Sequence, residues 1–174
     1  MKILKILGLI ILTVIVIFLV SGLFIKKDFE YEMSKEMAIS KDKVWENVIY
    51  FKNHEKWSQW KKMDPNMKVE ITGTDGTPGA KMSWTSTHKD VGNGSQTIVS
   101  VSGSERVDSK LDFDGRGEAN TYMSVVGDST KCKVTWSLKM SAPYPFNTFM
   151  FMMGDKPMND MFKTGLDMLE TASK

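Results

Sequence analysis

The chain opens with an unbroken, uncharged and mostly apolar run from Ile6 to Ile25, while every Asp and Glu lies at position 28 or later. Twenty residues at about 1.5 Å each span about 30 Å, the thickness of a bilayer's hydrocarbon core. Lys2 and Lys5 precede the run and Lys26 and Lys27 follow it, placed where their ammonium groups reach the headgroups. This predicts a transmembrane helix over about 6–25. A cleaved signal peptide is the competing reading, with Val20-Ser21-Gly22 as its small-residue site. Signal-peptide cores are usually about 7 to 15 residues long, and this run continues past that site, so an uncleaved single-pass anchor over 1–27 fits better. The lysines on the two sides give no clear orientation. The domain is expected outside the cytoplasm, because long following domains translocate largely regardless of charge.

From Phe29 the pattern changes to a period of two. Phe29, Tyr31, Met33, Met37 and Ile39 alternate with Glu30, Glu32, Ser34 and Glu36, which predicts a half-buried strand. At Ser40, a residue suited to an N-cap, the period becomes helical: Val44, Trp45, Val48, Ile49 and Phe51 predict a helix of about three turns. A shorter helical turn follows with Trp57 and Trp60 three apart, ended by Asp64-Pro65-Asn66. Six further strands are predicted. Val107, Ser109, Leu111 and Phe113 alternate with polar residues, as do Cys132, Val134, Trp136, Leu138 and Met140. Less regular strands run over 67–72, 80–87, 95–102 (Thr97, Val99 and Val101 inward) and 118–126 (Thr121, Met123 and Val125 inward). Turns at Asp75-Gly76, Asn93-Gly94, Asp114-Gly115 and Gly127-Asp128 favour hairpins, hence an antiparallel sheet with one covered face.

The last thirty residues supply the cover. Phe146, Phe149, Met150, Met153, Met158, Met161, Phe162, Gly165, Leu166, Leu169 and Ala172 follow the spacing of an amphipathic helix. Gly154 and Pro157 predict a kink or break within it. A strand, two short helices, six strands as a meander and a long C-terminal helix make an α+β arrangement with the element order of the helix-grip fold. Val44-Trp45, Trp57-Ser58-Gln59-Trp60, Gly79 before Trp84, and Phe162-Lys163-Thr164-Gly165-Leu166 resemble the polyketide cyclase/dehydrase branch of the START-like (SRPBCC) superfamily. The likeness is to its bacterial members with an N-terminal membrane anchor. It covers the whole of 28–174 and implies a seven-stranded curved antiparallel sheet wrapped around the last helix, enclosing a cavity. It does not select among carriers, cyclases and other members, because a fold fixes a cavity rather than a reaction.

Charge and composition narrow the function. Without Lys2, Lys5, Lys26 and Lys27, 19 basic residues face 21 acidic ones over 28–174, so the domain is slightly acidic and lacks the basic footprint of a nucleic-acid binder. One cysteine, Cys132, excludes an intrachain disulfide and any multi-Cys metal site, and its place on an apolar strand face predicts a core residue. His54, in a polar Lys-rich turn, and His88, in a Lys-Asp loop, read as solvated. Asp108, Asp112 and Asp114 read as a strand's wet face, and Gly92-Asn93-Gly94 and Gly115-Arg116-Gly117 as hairpin turns rather than phosphate cradles. No metal, cofactor or catalytic residue is expected; a protein partner is left open, with an interaction module of an envelope-stress or secretion system as a third reading.

Methionine is the one excess, 14 of 174 residues, six of them between Met150 and Met168 on the covering helix. Its flexible thioether adapts to varied apolar partners. The predicted cavity lining is Trp84, Val99, Leu111, Phe113, Met123, Val134, Trp136, Phe149, Met153 and Met161. The expected function is binding of a lipid-like or other hydrophobic small molecule. The rival is a cyclase or dehydratase using inward polar residues such as Thr97, Thr121 or Tyr122.

Overall fold

A computed structural model describes residues 2–115 and 117–174; Met1 and the centre of the Gly115-Arg116-Gly117 turn lie outside them. Helix α1 (Lys2–Gly22) exposes its apolar side chains along its length, and only Gly22 is buried. Its two hydroxyls are satisfied by its own backbone: Thr13 donates to the Leu9 carbonyl and Ser21 to that of Phe18, both at 2.9 Å. It is the one described helix long and apolar enough to cross a membrane.

Seven strands follow: β1 (Asp28–Met37), then, after three short helices, β2 (Lys68–Thr72), β3 (Lys81–Thr85), β4 (Gly94–Ser102), β5 (Arg106–Asp112), β6 (Glu118–Gly127) and β7 (Cys132–Ser141). They form one curved antiparallel sheet in the order β1-β7-β6-β5-β4-β3-β2, as the alternating pattern and tight turns require. The meander β2–β7 needs only hairpins. The step from β1 to the far edge at β2 is made by α2 (Lys41–Ile49), α3 (Phe51–His54) and α4 (Gln59–Met63). The expected three-turn helix therefore stops at Ile49, where Tyr50 is extended, and Phe51 opens α3. Ser40 takes the N-cap position of α2 without a side-chain bond, whereas Ser58 does cap α4, accepting from the Lys61 amide at 3.1 Å.

The C-terminal pattern breaks where Gly154 and Pro157 stand. Helix α5 (Phe146–Met153) ends at Gly154, whose φ of 67° suits a residue without Cβ, and α6 (Lys156–Ser173) begins with Pro157 in its first turn, where no amide is needed. Helix α6 lies across the sheet. Leu166 and Leu169 pack with Val44, Val48, Phe51, Val125 and Val134 in one core cluster, and Phe162 with Phe29, Tyr31 and Leu138 in a second. Trp136 packs against both. At the sheet edge, Lys35 of β1 pairs with Asp167 and, at 2.7 Å, with Glu170 of α6.

Candidate functional site

The sheet's covered face, α3–α4 and α5–α6 enclose a cavity of about 360 Å³, at the small end of the range that holds small molecules. Trp84 of β3, Leu111 of β5, Phe113, Met123 of β6 and Trp136 of β7 line its sheet side, and Met153 of α5 and Met161 of α6 its helical side. Three predicted lining residues lie elsewhere. Val134 is fully buried in the core between sheet and α6. Val99 is 59% exposed, because a β-bulge between Ile98 and Ser100 shifts the register; Gln96 and Ile98 face the cavity instead. Phe149 is 56% exposed, because α5 buries Asn147 and Thr148 and so turns the next side chain outward.

The polar groups of the wall are a minority; the charged ones, Glu55 and Lys61, lie 3.9 Å apart, and Lys61 also donates to the Met67 carbonyl. Trp136 Nε1 donates to Thr121 Oγ1 at 3.1 Å, and that hydroxyl donates to the Ser137 carbonyl at 2.7 Å. The Trp136 indole stacks on Phe162 with centroids 4.9 Å apart and meets Trp57 edge-on. Gln59 Nε2 donates to the Met161 carbonyl at 2.6 Å, tying α4 to α6. Ser109 and Gln96 add polar side chains from β5 and β4. Of the three polar residues considered for proton transfer, Thr121 is engaged in the wall, Thr97 does not line the cavity, and Tyr122 is counted in the lining but its hydroxyl donates to Glu32 and its ring lies under the Arg106 guanidinium.

His54 departs from expectation. Its surroundings in sequence are polar, but its side chain is buried in the cavity wall. Both carboxylate oxygens of Asp75 accept backbone amides at the start of α3, from Phe51 at 2.8 Å and Lys52 at 3.1 Å, fixing a single turn that carries His54 inward. The ring lies edge-on to Phe51 and tilted against Trp57. Burial pushes its pKa below the ordinary histidine value, outweighing the opposing Val48 hydrogen bond and Asp75 charge, so the ring is held neutral. The Val48 carbonyl, 2.9 Å from Nε2, can only accept, so Nε2 carries the proton and Nδ1 is the ring's acceptor. His88 sits in an exposed loop. Cys132 is buried, and burial pushes its thiol pKa up. Among the described residues, no group of three His, Cys, Asp or Glu is placed to hold a metal ion.

No family model and no curated protein matches the chain. Solved structures do. Ara h 8.0201 superposes with a TM-score of 0.58 at 12% identity, over 84% of this chain and 97% of that one. Norcoclaurine synthase from Thalictrum flavum, in complex with dopamine and hydroxybenzaldehyde, gives 0.59 at 15% identity, over 86% and 88%. A truncated form of that synthase gives 0.59 at 16% identity, over 84% and 94%. The fold is the helix grip. At these identities the likeness is one of fold, and the helix-grip cavity is a place for a ligand rather than a definition of one.

Proposed function

We propose that residues 1–27 anchor the chain in the cell membrane and that 28–174 form a START-like (SRPBCC) helix-grip domain, outside the cytoplasm, that binds a lipid-like or other hydrophobic small molecule without transforming it. The observation that carries this reading is the cavity wall: mostly tryptophan, phenylalanine, leucine and methionine side chains, with Trp136, Thr121 and Gln59 hydrogen-bonded to their neighbours and the two charged residues, Glu55 and Lys61, paired with each other. Such a wall favours apolar surface over a charged substrate. The apolar α1 supports the anchor, and the synthase of the same fold in complex with two small aromatic compounds supports the use of such a cavity. Native mass spectrometry of the full chain released from its own membranes tests the reading. A bound lipid or other hydrophobic mass is expected. A cavity that stays empty and takes up no apolar fluorescent probe overturns it.

A second reading is a polyketide cyclase/dehydratase-type enzyme, favoured by one observation, the neutral His54 in the wall. Loss of a general acid or base usually costs about a hundredfold or more in rate. Binding as the sole function requires the wild-type protein to release its ligand chemically unchanged, whatever His54→Ala does to affinity through the wall it lines. A folded His54→Ala protein that keeps affinity but no longer converts a bound ligand supports the enzyme.

A further inference from the structure

We infer that α5 lies in the interface of the membrane that α1 spans, so that the cavity opens onto the bilayer rather than onto water. The inference rests on the membrane-anchor reading. From Met140 to Gly154 the chain carries no charge, and Lys139 and the Asp155-Lys156 pair bound this stretch. Within it Phe146 (67%), Phe151 (60%) and Met152 (71%) are exposed, with Phe149 and Met153. A concentration of large apolar side chains on one short helix marks a surface that something covers.

The junction with α1 indicates what covers it. Asn147, fully buried, donates from Nδ2 to the Gly22 carbonyl at 2.8 Å and the Ile25 carbonyl at 2.9 Å, backbone acceptors at and just beyond the C-terminal end of α1. Thr148 and Tyr144 press against Gly22, where a Cβ would stand only 2.4 Å from the Thr148 hydroxyl. Helix α5 is thereby fixed at the level where α1 leaves the hydrocarbon. Leu23 and Phe24, also exposed, continue the apolar surface, and exposed Lys26 and Lys27 follow where headgroups would lie. Met153 and Gly154 are exposed and also line the cavity, so the cavity reaches the surface at the α5–α6 junction, on this same face. A bilayer-dissolved ligand would pass between the methionines without crossing water.

The test uses the full chain in a Cys132→Ser background, reconstituted into phosphatidylcholine–phosphatidylglycerol vesicles. Spin labels are placed at single cysteines replacing Ile10, Val126, Phe149, Phe151 or Met153. Collisions with oxygen, which partitions into lipid, and with an aqueous nickel chelate report depth. Labels at 149, 151 and 153 are expected to be oxygen-accessible and nickel-shielded, roughly 5–10 Å below the headgroup boundary, with Val126 aqueous and Ile10 deep. Nickel access at the three α5 sites equal to that at Val126, with Ile10 still deep, overturns the inference and leaves the anchor standing. Shielding from both reagents means that protein, such as a second copy, covers α5, and this also overturns it. An aqueous Ile10 label removes the anchor reading and the inference with it.

Discussion

Gly165 stands in the middle of α6, buried beside the cavity. A Cβ there would lie 2.6 Å from Trp136 Cζ3 and 3.0 Å from Gln59 Nε2. Two terms of opposite sign follow for Gly165→Ala. Alanine in a helix interior is favoured over glycine by about 1 kcal/mol. Overpacking against a held neighbour costs about 1–3 kcal/mol, and Trp136 is held by its bond to Thr121, its stack on Phe162 and its edge contact with Trp57. The net expectation is a loss of about 0–2 kcal/mol, at about 2–4 °C of Tm per kcal/mol for a domain of this size. The indole lines the cavity, so a shift into it should lower affinity for an apolar fluorescent probe in the same variant. Adding Trp136→Phe removes the ring edge that Cβ meets. In a double-mutant cycle the two changes should then couple favourably by about 0.5–3 kcal/mol, read by urea denaturation. If Gly165→Ala alone stabilises by the full helix term and leaves probe binding unchanged, Trp136 is not packed under α6 as described, and the geometry of the wall is wrong.

Acid should weaken the fold through His54. Its folded-state pKa lies below the unfolded value of about 6.5, so stability is complete above that pH and falls on acidification, with a slope approaching about 1.4 kcal/mol per pH unit. Denaturation between pH 6.5 and 5.5 should show the slope and His54→Gln should flatten it, whereas the lowered pKa values of Asp108 and Asp167 act nearer pH 4 and below. In hydrogen exchange, α5, which buries only Asn147 and Thr148, should open at lower free energy than Met161–Leu169, and an apolar ligand should slow it; equal protection on both sides of Pro157 would refute this. The mature chain should retain α1 and stay with membranes after carbonate washing, and an N-terminus found near Leu23 would instead mean cleavage.

Most of the sheet was legible because its strands alternate and their turns carry glycine, and the break between α5 and α6 because Gly154 and Pro157 mark it. What escaped had no local signature. In Thr97-Ile98-Val99-Ser100-Val101, apolar residues fall on both parities, so nothing in composition places the bulge, and its absence from the reading sent Val99 inward. His54 reads as solvated beside Asn53, Glu55 and Lys56. It is buried because Asp75, 24 residues from Phe51 in sequence, fixes the start of α3. The phase of α5 was illegible for another reason. Phe-Asn-Thr-Phe-Met-Phe-Met-Met is apolar nearly all round, and its orientation is set by two bonds from Asn147 to the end of a different helix.

The two sides of the cavity are built differently, and this bears on what it selects. On the sheet side the large flat residue, Trp136, is fixed by a hydrogen bond and two ring contacts, so this wall keeps its shape and presents rigid faces against which a planar or branched group can align. Its supports come from different elements: α4 is tied to α6 through Gln59, and α3 is capped from the β2–β3 hairpin through Asp75. On the helical side stand Met150, Met153, Met158 and Met161, unbranched chains that change rotamer at little cost, two of them on α5, which buries only Asn147 and Thr148. A ligand would be oriented by the sheet and accommodated by the methionines. Discrimination should therefore follow the shape of the part facing Trp136, while length or bulk toward α5 is tolerated, as suits a pocket open at that end to molecules with a flexible apolar tail.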